Sequence, residues 1–441
     1  MEQENSFTTH TLPSGLRIIC APGHTDVVYC GIAIGAGTRH ELPEESGMAH
    51  FTEHMSFKGT CRRSARQVIS TMESVGGDMN AYTGKEETVY YCTALRQHVG
   101  RAIDLLLDIV TSSTYPDHEM EHEVEVVIDE IESYNDQPSE LVYDEFESLA
   151  FPGHPLGRSI LGDADRLRTF RSEDMKRYAR RLYQPSRMVL YVLGNVDAEK
   201  IIRMVEKWGG GKMLQAGGAL LTLPQDHLLL PREENGGRQV PASDSGLARG
   251  KEGGSVIYRQ KDTHQAHVVI GTPSFGGNDP RHLHLYLLNN MLGGPAMSSR
   301  LNLSLRERNG LVYTVESNNV CYTDTGLWTT YFGCDPEDVR RCCRLVRREL
   351  ERLVQAPLTQ RALDAARRQL KGQIGISYDS YENLAIGMAK RYLHYGRTQT
   401  CQQLFDQLDA LTPAMLLETA QLAFDPNRLL TLIYSPSRVK S

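Results

Sequence analysis

The segment His50-Phe51-Thr52-Glu53-His54 decides how the rest of this 441-residue sequence is interpreted. Histidines four residues apart lie on one face of a helix, so both imidazoles can reach a single metal ion. Glu53 lies beside them, where a carboxylate can serve as general base. A hydrolytic zinc site usually takes three protein ligands, so the segment predicts a metal site that still lacks one ligand.

The acidic segment 119–132 is the best source of the missing ligand. Four aliphatic residues follow helical spacing and predict its buried face: Val124, Val127, Ile128 and Ile131. Glu123 and Glu130 are seven residues apart and share one face beside that stripe. One of them could bind the metal while the other orients a histidine. Taken alone, however, this helix is better interpreted as an acidic face in contact with solvent.

Length, composition and charge limit the class of protein. A chain of 441 residues is too long for one ordinary core, and 40% apolar and 23% charged residues are typical of soluble globular proteins. A net charge of −7 argues against a nucleic-acid partner, and no apolar run approaches the roughly 18 residues of a membrane span. The nine cysteines form no C-x-x-C pair. With a polar, acidic start, these features predict a cytoplasmic protein that binds neither nucleic acid nor membrane.

The sequence divides near its middle into two halves with the same order of predicted elements. Residues 230–254 are rich in glycine and charge, which predicts a flexible linker between domains at 1–229 and 255–441. Each half opens with two strands, continues with helices, two further strands and long helices, and closes with a strand. The C-terminal half includes predicted helices at 298–308 and 359–395. We therefore expect an α+β fold of two similar domains, each a mainly antiparallel sheet packed with helices.

Four segments together resemble the insulinase (pitrilysin) family of zinc peptidases: Ser46–Thr60, Gly76–Thr88, Val126–Ile131 and Phe151–Gly157. The order His-x-x-Glu-His is the signature of the inverzincins. Half-length members of the family include the mitochondrial processing peptidase and bacterial relatives. The family takes its third ligand from a Glu-x6-Glu pair on a later helix. The resemblance therefore implies one Zn²⁺ per chain, held by His50, His54 and Glu130, with Glu123 as the orienting carboxylate.

Two further segments carry the resemblance toward substrate binding. The segment from Arg306 to Tyr313 is similar to the element by which the family grips substrate, and it implies that these two side chains bind substrate carbonyls and the oxyanion. Residues 79–83 alternate like a strand. In the family the corresponding edge strand binds the substrate backbone, which implies contacts from Asn80, Ala81 and Tyr82.

The resemblance implies a zinc-dependent endopeptidase that hydrolyses extended oligopeptides or unfolded segments in an enclosed chamber, with Glu53 as general base. Active units of the family contain four such domains, and this chain supplies two. We therefore expect a homodimer in which zinc from one subunit meets Arg306 and Tyr313 of the other. The alternative is a catalytic or non-catalytic subunit of a heteromeric complex like the processing peptidase. An unrelated α/β binding protein with a fortuitous motif is a remote third hypothesis.

Overall fold

The computed structural model describes residues 7–209, 248–249 and 254–436. The predicted linker, 230–254, therefore lies outside the described residues apart from 248–249 and Gly254. The described chain forms two six-stranded sheets packed with helices. This architecture confirms the expected α+β fold.

The described residues of the N-terminal half form six strands and eight α-helices. Its strands are β1 (Thr8–Thr11), β2 (Arg17–Pro22), β3 (Val27–Ile34), β4 (Asp78–Thr83), β5 (Thr88–Leu95) and β6 (Met188–Gly194). Its helices are α1 (Met48–Ser56), α2 (Ala65–Glu73), α3 (Val99–Ser112), α4 (Asp117–Asn135), α5 (Pro138–Ala150), α6 (Ala164–Leu167), α7 (Ser172–Leu182) and α8 (Ala198–Gly209). The central strands are nearly continuous runs of buried residues, because helices cover both faces of this sheet.

The C-terminal half repeats this order with six strands and six α-helices. Its strands are β7 (Ala248–Arg249), β8 (Ser255–Gln260), β9 (Ala266–Phe275), β10 (Val312–Cys321), β11 (Thr325–Cys334) and β12 (Leu430–Ser435). Its helices are α9 (Arg281–Gly293), α10 (Val339–Gln355), α11 (Gln360–Ser377), α12 (Tyr381–Tyr395), α13 (Cys401–Asp409) and α14 (Pro413–Ala423).

The two sheets have the same topology. The first has the strand order β1-β2-β6-β3-β5-β4, and the second has β7-β8-β12-β9-β11-β10. In each, the last strand pairs in parallel with the second, and every other pairing is antiparallel. The halves are therefore two copies of one folding unit, as the shared order of elements predicted. Strands β4 and β10 occupy equivalent edges.

Each half lends one helix to the other. Helix α12 covers the second face of the N-terminal sheet, where Ala385, Met388 and Ala389 pack against residues such as Ile19 and Val189. Helix α5 covers the equivalent face of the C-terminal sheet, where Val142 and Phe146 join a separate buried cluster. Both sheets are thus buried on two faces only because the halves exchange helices.

Two predicted helices differ from the structure. The single helix predicted at 359–395 is two helices, α11 and α12, separated around Asp379, and the break allows α12 to cross to the other sheet. The helix predicted at 298–308 is a π-helical segment, Asn302–Glu307. Amphipathic spacing did not reveal either change, because both segments keep a helical pattern of apolar residues.

Two further observations concern the described residues as a group. None of their helices is both long and apolar enough to cross a bilayer. All nine cysteines lie in the described part of the chain, and no disulfide joins any of them.

Candidate metal centre

Helix α1 is held firmly at its N-terminus. Gly47 precedes it with φ of +89°, a left-handed conformation that favours glycine, and the Cβ of any other residue would lie 2.9 Å from Gly162 Cα. The first turn is capped from a distance, because the Glu41 carboxylate accepts hydrogen bonds from Gly47 N (3.2 Å) and Ala49 N (2.8 Å). Glu41 therefore satisfies backbone N–H groups that Gly47, the N-cap residue, cannot bind because it has no side chain.

The apolar side of α1 fixes its rotation. Met48, Phe51 and Met55 are buried in the N-terminal core, while His50, Glu53 and His54 turn toward α4 and β4. The pattern of the segment therefore places its polar side chains between these two elements.

His50, His54 and Glu130 come together as one cluster. Their ligand atoms all lie within 4.8 Å of one another. Glu130 Oε2 is 3.7 Å from His50 Nε2 and 3.6 Å from His54 Nε2. Glu130 is on α4, so the predicted link between α1 and the acidic helix exists in the structure. The roles of these residues remain predictions.

Glu123 lies one layer behind this cluster on the same helix. It is buried, and its Oε1 is 2.9 Å from His54 Nδ1. Its other oxygen pairs with Lys58 Nζ. Because Glu123 occupies Nδ1 of His54, the Nε2 of that ring is left facing Glu130. Of the two glutamates that the sequence left open, Glu130 faces both histidines and Glu123 orients one of them.

The two histidines have opposite electrostatic environments. Burial, together with the neighbouring His54, lowers the pKa of His50 to about 3, so this imidazole stays neutral with a lone pair available. Burial alone would lower the pKa of His54, but the hydrogen bond to Glu123 and the nearby carboxylates raise it overall. Burial likewise opposes ionisation of Glu123, yet His54 and Lys58 lower its pKa.

Glu53 is held by a residue of β4. Its Oε2 accepts a hydrogen bond of 2.5 Å from Thr83 Oγ1. Burial raises the pKa of Glu53, while the Thr83 hydroxyl and His54 act in the opposite direction. Glu53 is therefore a buried carboxylate with a raised pKa close to His54, an environment suited to a general base.

The donor set fits a zinc ion. Two imidazole nitrogens, each of which is neutral when it binds a metal, and one carboxylate oxygen are the combination that zinc takes in hydrolytic sites. Zinc bonds of about 2.0–2.1 Å in tetrahedral geometry place ligand atoms roughly 3.4 Å apart, close to the distances from Glu130 to the two rings. One requirement is not met among the described residues, because the buried Nδ1 of His50 has no hydrogen-bond partner there.

The predicted substrate strand is an open edge. Asn80, Ala81 and Tyr82 lie on β4, which is the last strand of its sheet and pairs only with β5. Ala81 and Tyr82 are partly exposed, and Asn80 is exposed. The structure thus places the three residues on the strand that also carries Thr83, beside the metal cluster.

Arg306 and Tyr313 lie together in the other half. Arg306 Cζ is 5.7 Å from the centre of the Tyr313 ring, and Tyr313 is 81% exposed at the start of β10. Among the described residues, neither side chain forms a hydrogen bond or ion pair with the histidines or Glu130. The two side chains lie next to each other with the Tyr313 ring open to solvent, and their role in substrate binding remains a prediction.

Three residues of the site carried no sequence signal that we used. Thr83 holds Glu53, Lys58 pairs with Glu123, and Glu41 caps α1. Thr83 is the last residue of the predicted strand 79–83 and shares a face with Ala81, but the strand pattern does not mark it as the partner of Glu53. Lys58 and Glu41 act through contacts that depend on the tertiary fold.

Comparison with protein families gives two matches that cover most of the chain. The family described as insulinase, peptidase family M16, matches residues 18–164, and the family described as the peptidase M16 inactive domain matches residues 169–370. The first match contains all three residues of the metal cluster, and the second contains Arg306 and Tyr313.

Two relatives extend over nearly the full length. Uncharacterized zinc protease YmxG of Bacillus subtilis is 32% identical over 97% of this chain and 98% of its own. Uncharacterized zinc protease SCO5738 of Streptomyces coelicolor is 33% identical over 91% of this chain and 84% of its own.

Solved structures show the same fold. A protease from Helicobacter pylori superposes with a TM-score of 0.84 at 22% identity, covering 98% of this chain and 100% of that one. A peptidase M16 inactive domain from Pseudomonas fluorescens superposes with a TM-score of 0.83 at 16% identity, covering 99% of both chains.

Proposed function

Since the chain belongs to the insulinase family of peptidases, family M16, we propose that it is a zinc-dependent endopeptidase. Its substrates are extended oligopeptides or unfolded segments held in an enclosed chamber. One observation carries the proposal, namely the convergence of His50, His54 and Glu130 beside a glutamate that Thr83 holds in place.

The proposed zinc ligands are His50, His54 and Glu130. A zinc ion held there would supply Lewis-acid chemistry, lowering the pKa of a bound water and polarising the scissile carbonyl. Glu123 keeps His54 in the tautomer that presents Nε2, and Lys58 balances the charge of Glu123.

Glu53 moves the proton. It accepts a proton from the attacking water at Oε1, since Oε2 is already bonded to Thr83, and then donates it to the leaving amine. The raised pKa of Glu53 makes its carboxylate a stronger base toward the attacking water.

The open edge of β4 binds the substrate backbone. A peptide added to this edge as a further strand makes main-chain hydrogen bonds, so affinity depends little on sequence. Asn80, Ala81 and Tyr82 then line the peptide beside Glu53. Extended chains are favoured over folded ones because most backbone groups of a folded protein are already hydrogen-bonded within it.

We propose that the remaining contacts to the substrate come from a second subunit. Residues 1–209 contain 33 acidic and 21 basic residues, a net charge of −12, whereas residues 255–441 contain 17 and 22, a net charge of +5. Opposite charges favour a homodimer in which the N-terminal half of one chain faces the C-terminal half of the other. Arg306 and Tyr313 of the second chain would then bind the substrate carbonyl and the developing oxyanion.

The alternative assembly is a heteromeric complex like the processing peptidase, in which this chain is the catalytic or the non-catalytic subunit. The cluster around His50 favours the catalytic role, because a scaffold has no use for it. The exposed Tyr313 and the half-buried Arg306 beside it favour the homodimer, because this chain already carries both parts of the site.

Digestion of an unfolded peptide by the purified chain tests the activity. Treatment with a chelator should remove peptidase activity, and stoichiometric zinc should restore it. The same peptide incubated with chelated protein is the control. Cleavage that survives complete removal of the metal would contradict the proposal.

Mixing two inactive variants tests the assembly. Glu53→Gln and the double variant Arg306→Ala/Tyr313→Phe are each expected to be nearly inactive as homodimers. A statistical heterodimer contains one intact site, so an equal mixture after subunit exchange should recover about a quarter of wild-type activity. A mixture that gains nothing, together with an active monomer in sedimentation, would rule out the shared site.

A further inference from the structure

The turn between β4 and β5 contains three consecutive buried charges. Lys85, Glu86 and Glu87 are 9%, 7% and 6% exposed. Charged residues are almost never buried unless they are paired, so each of them should have partners. All three do, and each reaches toward a different part of the molecule.

Glu86 is bound by the C-terminal half. Its Oε2 accepts a hydrogen bond from Thr323 N at 2.9 Å, and its Oε1 accepts one from Thr323 Oγ1 at 2.7 Å. Thr323 lies in the turn of the hairpin formed by β10 and β11. Arg39 completes the contact, with Nη1 at 2.6 Å from Glu86 Oε1 and 2.7 Å from Asp324 Oδ1.

The neighbouring charges extend the contact in two directions. Glu87 binds Lys390 Nζ at 2.5 Å and His394 Nε2 at 2.9 Å, both on α12, the helix that the C-terminal half lends to the first sheet. Lys85 Nζ donates to Leu156 O at 3.1 Å and lies 3.0 Å from Glu147 on α5. The turn is therefore a meeting point of both halves.

The same turn borders both sides of the metal centre. Thr83, which holds Glu53, directly precedes Gly84, the first residue of the turn. On the other side, Lys85 Nζ donates to Arg158 O, and Arg158 Nη1 donates to Glu41 O at 2.7 Å. The Glu41 carboxylate in turn caps α1. A displacement of the turn would move the strand that holds the base and the cap of the helix that carries the histidines.

We propose that Glu86 is a positioning residue, through which the β10–β11 hairpin of the C-terminal half sets the placement of Glu53. The hairpin carries Tyr313 at one end and grips Glu86 at the other. Engagement of substrate by the C-terminal half of a chain is thereby coupled to Glu53 of the same chain, which serves the other site of the proposed homodimer. The coupling to chemistry rests on the proposed peptidase function, while the mechanical link between hairpin and β4 does not.

The alternative is that Glu86 only joins the two halves. Glu145 offers a matched control, because this α5 carboxylate also makes polar contacts across the halves, to Arg259 Nε at 2.5 Å and Tyr434 Oη at 2.6 Å, on the other sheet and without contact to β4. If Glu86 only joins the two halves, removing its contacts should have the same effects as removing those of Glu145. Loss of a positioning contact should act on β4 and on turnover only at Glu86.

The experiment compares Glu86→Gln, Thr323→Val, the double variant and Glu145→Gln in the full-length protein. Amide hydrogen exchange of residues 78–83 is expected to accelerate about tenfold in the first three and to stay unchanged in Glu145→Gln. The kcat should fall about tenfold in the same three variants, with KM within about twofold and zinc content unchanged, because misplaced reacting groups slow chemistry more than binding. The double variant should resemble Glu86→Gln, since Thr323→Val removes only a hydroxyl hydrogen bond to the same carboxylate.

Unchanged exchange in β4 for both Glu86→Gln and Thr323→Val would overturn the inference. So would faster exchange without any loss of kcat, or an equal loss of kcat in Glu145→Gln. Thr323→Val keeps a side chain of nearly the same shape, so it remains informative if Glu86→Gln folds poorly. If the wild type lacks peptidase activity, the proposed function fails, and the exchange measurement still decides whether the hairpin positions β4.

Discussion

Helices α1 and α9 occupy the same place in the two halves, yet their polar side chains serve opposite purposes. Each follows the third strand of its sheet and packs beside the edge strand, β4 or β10. On α9, Asn289 donates to Ser317 O at 2.9 Å and accepts from Trp328 Nε1 at 3.0 Å, while His284 bonds Thr419. On α1, His50 and His54 instead converge on Glu130.

The supporting helices differ in the same way. Helix α4 brings Glu123 and Glu130 to α1, whereas its counterpart α11 brings Leu363, Leu370 and Ile374 to the core beside α9. The same folding unit therefore holds a polar cluster of histidines and glutamates between α1 and α4 in one half. In the other half, apolar residues fill the equivalent space between α9 and α11. Topology fixes where a site can form, and a few side chains decide whether it does.

Glu53→Gln should produce the largest loss of activity, and it should show most clearly that the two halves differ in function. Loss of the proposed general base is expected to lower kcat about a thousandfold, while zinc content stays at the wild-type value because Glu53 is not among the proposed ligands. Peptide cleavage and metal analysis measure the two quantities. Glu418→Gln, an exposed change on α14 of the other half, should leave both unchanged. Equal cleavage by Glu53→Gln and wild type would remove the mechanism.

Zinc stoichiometry tests whether only one half binds metal. We expect about one zinc per chain after dialysis and close to none in His50→Ala, because a two-ligand site loses most of its affinity. His282→Ala on α9 should still retain one ion. Elemental analysis measures the zinc content of the three proteins. Two zinc ions per chain in the wild type would show that both halves bind metal.

Asn289→Leu tests the internal role of polar groups in the C-terminal half. The change leaves Trp328 Nε1 and Ser317 O buried without this partner, so unfolding free energy should fall by about 2–3 kcal/mol. Zinc content should not change. Urea unfolding measures the loss, and the exposed Asn318→Leu should cost less than about 0.5 kcal/mol. Loss of zinc in Asn289→Leu would show that the polar residues of α9 also affect metal binding, contrary to the proposed difference between α1 and α9.

The smallest expected effect is on stability and concerns Glu87, in the turn where the two halves meet. Lys390 and His394 outweigh the effect of burial and lower the pKa of Glu87 to about 2, below the ordinary value of about 4.3. Its stabilisation is therefore complete above the ordinary value and is lost as the pH falls toward 2. Glu87→Gln should cost about 2 kcal/mol at pH 7, and the difference from wild type should shrink between pH 5 and 3.

Urea unfolding at stepped pH checks this trend. Glu173→Gln, which removes an exposed pair with Arg180, should cost less than about 0.5 kcal/mol at every pH. A penalty for Glu87→Gln that does not depend on pH would mean that its pairing is not the source of the stabilisation.

Local sequence predicted the parts of the molecule that depend on near neighbours. The N-terminal half was predicted to open with strands, and Val27–Ile34 is one of them, because a bulky apolar run of this length fits a strand that is buried on both faces. The helical spacing of His50 and His54 likewise follows from geometry. The resemblance, rather than spacing, pointed to Glu130, since a contact over 76 residues depends on how α1 and α4 pack.

Other features depend on the finished fold. Thr83 resembles any strand threonine until α1 packs beside it. The patterns of α5 and α12 predict buried faces, but an amphipathic helix does not specify which of two similar sheets it will cover. The break near Asp379 was missed for this reason, because only the position of the second sheet requires the chain to change direction there.

The exchange of α5 and α12 means that neither half can be removed and leave the other intact. Deleting the C-terminal half would uncover the back of the sheet that supports the metal cluster, including Ile19, Ala33 and Val89. Such an exposed apolar sheet is prone to self-association. The C-terminal half, in whose described residues no such cluster lies, therefore shields the sheet that supports the cluster of the N-terminal half, and a shortened version of this protein would need a substitute for α12.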